Sequence, residues 1–69
     1  MLELIIDSPD READAFDALL SAGISAEVGC CVNTIRVPER DRIVAERCMD
    51  ANGIEWQWIR TKDNEIVVL

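Results

Sequence analysis

The 69-residue sequence predicts an α+β fold, a βαββαβ plait with one added C-terminal strand and both helices on one face of an antiparallel sheet. Three observations predict it. A segment of about sixteen residues recurs roughly thirty residues on: Pro9 to Ile24 is answered by Pro38 to Ile54. Each copy opens on proline and acids, which suit a helix's first turn, and closes on a glycine suited to a helix end. After each glycine the apolar residues alternate, Ile24, Ala26, Val28 and then Ile54, Trp56, Trp58.

The elements follow in order. Leu2 to Ile6 reads as the first strand, and Ser8 as the N-cap of a helix that runs to Ala22. A second strand covers Ile24 to Val28, and a hairpin near Gly29–Asn33 leads into a third at Thr34 to Val37. The second helix follows Pro38 with no capping side chain at Val37, and the fourth strand starts at Ile54. Thr61-Lys62-Asp63-Asn64 is a turn, and Glu65 to Leu69 a short fifth strand. Two βαβ halves joined by a hairpin make the ferredoxin-like plait, a single domain over 1–69, and right-handed crossovers leave few competitors.

The expected core takes Ala13, Phe16, Leu19 and Leu20 from the first helix. From the second it takes Ala45, Cys48 and Met49, with Val44 or Ile43. With Leu2, Leu4 and Ile6 toward the helices, Glu3, Ile5, Asp7, Glu27, Arg36, Glu55, Gln57 and Ile59 face an uncovered side of the sheet. The competing register puts Trp56 and Trp58 on that open face instead.

A chain this short buries only ~60% of its surface on folding, which excludes a deep cleft between domains. Fourteen acids against seven bases give a net charge of −7, which argues against a protein that binds nucleic acid by neutralising phosphates. Histidine and tyrosine are absent, so the commonest general base and metal ligand are missing. No apolar stretch approaches the ~18 residues of a membrane span, and the first residues do not read as a secretory signal. Those features predict a cytoplasmic protein with no cofactor and no membrane association.

Residues 1–29 hold seven acids and one base, residues 30–69 seven acids and six bases. Asp10, Asp14 and Asp17 recur at helical spacing over ~10 Å, a carboxylate row able to imitate a nucleic-acid backbone or dock on a basic groove. The bland reading is a solvated helix face with Arg11 in partial compensation. Cys30, Cys31 and Cys48 lack zinc-site spacing and a base to activate a nucleophile, so they read as structural thiols; a vicinal disulfide or redox pair is the alternative. Arg36, Arg40, Arg42 and Arg47 alternate with acids, which favours pairing of Glu39 with Arg42 and of Arg42 with Glu46 over anion binding.

Strand, helix ending Leu19-Leu20-Ser21-Ala22-Gly23-Ile24, strand, then Ile35-Arg36-Val37-Pro38 and a second helix resembles the small prokaryotic signal-transducing domains. The resemblance covers roughly residues 3–52 and implies the plait, without bringing catalytic residues. The tryptophan-bearing strand and the added last strand depart from it. ACT-like regulatory domains share the architecture, but their glycine turn after the first strand is replaced here by Asp7-Ser8-Pro9-Asp10.

Together these features predict a non-enzymatic, acidic protein-binding module, a small inhibitor or adaptor. Its partner-binding residues would be Asp10, Asp14, Asp17, Glu3, Asp7, Glu27, Trp56 and Trp58, and its partner a protein with a basic surface. Size and charge suit a phage or mobile-element antagonist of a nucleic-acid-handling machine, an anti-CRISPR candidate among them. Apolar Ile66 to Leu69 suggests a homodimer through the last strand. The alternatives are a domain that senses a metabolite at a dimer interface and, third, an enzyme using Cys30 or Cys31.

Overall fold

Alternating and β-branched apolar residues build the centre of the sheet, where β1 (Leu2–Ile6) lies between β3 (Thr34–Val37) and β4 (Trp56–Lys62). This computed structural model describes residues 1–63 and 65–69; Asn64, the end of the expected turn, lies outside them. Two-residue β2 (Glu27–Val28) pairs with β3 at one edge and β5 (Glu65–Val68) with β4 at the other. The order is β2-β3-β1-β4-β5 and every neighbouring pair is antiparallel. Two helices, α1 (Glu12–Ser21) and α2 (Arg42–Ala51), pack on this sheet.

The repeat is visible in the core. Ala15 and Ala45, Leu19 and Met49, Ile24 and Ile54 are buried pairs, each thirty residues apart. They close on Leu4, Ile6, Ile35 and Val37 of the sheet. The glycines end both helices as expected. Gly23 and Gly53 have φ of 83° and 64°. Ile24 N donates to Leu19 O and Gly23 N to Leu20 O; Ile54 N to Met49 O and Gly53 N to Asp50 O repeat the pattern. Each is a Schellman motif, which satisfies two carbonyls that would otherwise be orphaned.

Both helices start later than the sequence suggests. Pro9–Arg11 and Glu39–Asp41 are 3₁₀ turns, and Ser8 makes no side-chain cap. The buried stripe of α1 is turned by roughly one residue, ~100°, from the expected one. Ala15 is buried where Ala13 and Leu20 were expected, and both of those are exposed. Phe16 and Leu19 face inward as predicted. A methyl group at 15 and at 45 lets each helix sit close to the sheet, and the longer Leu20 would hold it off. On α2, Ala45 and Met49 are buried and Cys48 partly so, whereas Ile43 and Val44 face solvent.

Candidate functional site

Three surfaces carry the chemistry. The first is the sheet face turned away from the helices. It was expected to be bare, but Glu3 is only 8% exposed, and Thr34 and Ile59 are buried. The connection after β2 folds against it. Gly29 lies so close to Thr34 and the Glu3 carboxylate that no side chain fits there. Cys30 N donates to Glu3 Oε2 at 3.2 Å and the Cys30 thiol to the same oxygen at 3.4 Å. Arg36, across from Glu3 on β3, reaches Glu3 Oε1 at 3.8 Å. Thr34 Oγ1 donates to Cys31 O and accepts from Cys31 N, fixing a turn with Asn33 at φ 65°. Glu3 is thus partnered from within, and its exposure is the correction here; Glu27, Arg36 and Gln57 remain solvent-facing.

The second surface decides the register. Trp56 lies opposite Ile6 and Trp58 opposite Leu4, so both indoles point to the helix side. The competing arrangement, with the indoles on the open face, is overturned. Trp58 Nε1 donates to Glu46 Oε2 at 2.7 Å and Trp56 Nε1 to Asp50 Oδ1 at 3.0 Å. Their rings meet edge to face, centroids 5.2 Å apart at 79°. Both stay half-buried, because the cleft of about 350 Å³ beside them opens to solvent between Leu2, Arg42 and Leu69. Arg42 also approaches Glu46, at 3.6 Å, the intrahelical pair the spacing predicts. Glu39 and Arg42 form no such pair among the described residues; Arg40 and Asp41 pair instead, at 3.9 Å, since the first turn is 3₁₀.

The third surface is acidic. Asp7, Asp50 and Glu55 line a cleft of about 340 Å³ together with Ile54, Trp56 and Gln57. Among the described residues no basic side chain lines it. Asp7 N donates to Glu55 O, which holds the end of β1 to the start of β4. Asp10, Asp14 and Asp17 are all exposed. Asp14 is paired with Arg11 at 3.0 Å, and Arg11 also donates to Asn52 O at the end of α2. Asp10 sits in the 3₁₀ turn, so only Asp14 and Asp17 share the regular helical spacing.

Among the described residues no three of His, Cys, Asp and Glu converge as a metal site, and no helix is long and apolar enough to cross a membrane. All three cysteines are free. The Cys31 thiol is held above the ordinary thiol range, first by its hydrogen bond with the Cys30 sulfur, then by desolvation and by the electrostatic influence of Cys30 and Glu3. Burial does the same to Cys48. No family model, curated protein or solved structure matches this chain.

Sequence reasoning put Glu55 on the outward face but left it and Asp50 out of the binding residues, and it missed Gly29 as a point of close approach. Asp50 had a signal: it and Trp56 lie six apart across a glycine turn, the distance a helix end and strand start span when they fold back.

Proposed function

We propose that this chain is a non-enzymatic, ferredoxin-like protein-binding module that docks on a basic surface of another protein. The strand order and the Schellman-capped repeat support the plait, and with it the likeness to the small prokaryotic signal-transducing domains. The observation that carries the binding reading is the cleft of Asp7, Asp50 and Glu55 beside Trp56, with no cation lining it among the described residues. Three carboxylates attract a lysine or arginine, and the adjacent indole gives apolar contact to the stem of that side chain. Asp10 and Asp17, both exposed, add to the net negative field and speed the encounter.

Glu3 serves the fold instead, because it holds the connection after β2. Trp58 and Leu69 line the neighbouring cleft and supply apolar area for a longer-lived complex. The partner is a protein in the cytoplasm, and inhibition or adaptation of a nucleic-acid-handling complex suits a small anionic module. The apolar edge of β5, with Ile66 to Leu69 all exposed, offers a second copy a strand to pair with. The second reading, a metabolite sensor, rests on the cleft of about 350 Å³ with its two indoles and Arg42.

The test is capture of a partner followed by association rates across salt concentrations. The docking reading expects rates that fall steeply with salt, and a loss of about tenfold or more in affinity for Asp7→Asn combined with Glu55→Gln. Salt-independent association, or unchanged affinity in that variant, overturns it. A thermal shift with an amino acid or nucleotide and no partner protein favours the sensor.

A further inference from the structure

We infer that Cys30 and Cys31 form a reversible dithiol switch, closing to a vicinal disulfide by exchange with low-molecular-weight disulfides of the glutathione class. Adjacent residues of an extended chain point to opposite sides, so sequence neighbourhood alone keeps two such sulfurs apart. Here the turn fixed by Thr34 brings the two Sγ atoms to 3.4 Å. The pair is reachable. Cys30 is exposed, Cys31 half-buried, and both line a cleft of about 290 Å³ with Thr61, Lys62 and Asp63.

The chemistry balances with the disulfide as the only oxidant. The Cys30 thiolate attacks one sulfur of the small disulfide, forms a mixed disulfide and releases one thiolate. The Cys31 sulfur then attacks Cys30 Sγ and expels the second. Two cysteine thiols are oxidised, one disulfide is reduced to two thiols, and the two cysteine protons pass to the released thiolates. The product is easily reversed: neighbouring Cα atoms lie ~3.8 Å apart, below the ~4.4–6.8 Å of relaxed disulfides, and that strain favours reduction. Closure also withdraws the Cys30 S–H from Glu3, leaving its carboxylate with Cys30 N and Arg36.

The experiment treats the full chain with oxidised glutathione at mildly alkaline pH, quenches in acid and maps tryptic peptides by mass. Trypsin separates peptide 12–36, with Cys30 and Cys31, from peptide 48–60, with Cys48. The expected result is a loss of two hydrogens in 12–36, reversed by excess reduced glutathione. In Cys30→Ser that loss disappears and one glutathione stays on 12–36. Peptide 12–36 ending with stable glutathione adducts, joined to a second chain, or unmodified while 48–60 reacts would each overturn the switch.

Discussion

Glu46 accepts the indole N–H of Trp58 at 2.7 Å, one helical turn before Asp50 does the same for Trp56. The match is geometric. Four helix residues rise ~6 Å and two strand residues ~6.6 Å, so carboxylates at i and i+4 on α2 face indoles at j+2 and j on β4. Thirty residues earlier the corresponding positions hold Phe16 with Val28 and Leu20 with Ala26. The second half of the repeat therefore carries carboxylates and indoles where the first has apolar side chains, and the two hydrogen bonds satisfy both indole N–H groups.

Removing that acceptor leaves a part-buried N–H unpaired. Glu46→Ala is expected to destabilise the fold by about 1–2 kcal/mol, and Glu46→Gln, which keeps an oxygen, by less than half of that. Urea unfolding followed by tryptophan emission measures both. Equal losses would show that the carboxylate's charge, rather than its acceptor, matters.

The helix ends make a second prediction. Gly23 and Gly53 have open space where a Cβ would go, so the cost of a side chain is conformational only. Gly53→Ala is expected to cost about 1–2 kcal/mol and Gly53→Asn less, since asparagine tolerates the left-handed region. Gly29 differs. Its missing Cβ would collide with Thr34 and the Glu3 carboxylate, so Gly29→Ala is expected to cost about 1–3 kcal/mol through crowding and to shift the Cys30 and Cys31 resonances.

The repeat explains what could be read beforehand. Proline, acids, glycine and alternation fix where elements begin and end, and β1 and β3 have the expected limits. The face a helix presents was harder, because α1 offers apolar residues on two sides, Ala13 and Leu20 as well as Ala15 and Leu19. Only contact with the sheet selects between them. The second strand is shorter than its alternation suggests, because Ile24 is buried as part of the helix cap and not as a ladder residue. The cover over the open face was illegible for a similar reason: it depends on Gly29 meeting Glu3, residues 26 positions apart.

The acidic helix face gives a prediction that separates binding from folding. Changing Asp10, Asp14 and Asp17 together to asparagine removes repulsion worth only a few tenths of a kcal/mol, offset by the lost Arg11–Asp14 pair. Unfolding by urea is therefore expected to change by less than about 0.5 kcal/mol, while association with a basic partner slows and loses salt dependence. A large stability change would mean that the row serves the fold.

The cysteines give the pH dependence. A raised thiol pKa means that the folded state favours the protonated form. Its contribution is complete below the unfolded value, near ~8.5, and is lost as pH rises through the folded one. Cys31 and Cys48 are both raised, so stability is expected to decline on the alkaline side of the ordinary thiol range. Alkylation by iodoacetamide at neutral pH is expected to be slow at both, accelerating at higher pH than for a free cysteine. Glu3→Gln removes one of the negative charges that holds Cys31 up, and should advance its alkylation profile toward neutral pH while leaving that of Cys48 in place. Rapid neutral-pH labelling of Cys31 in the unmodified chain would contradict this ordering and revive a nucleophilic role for the pair.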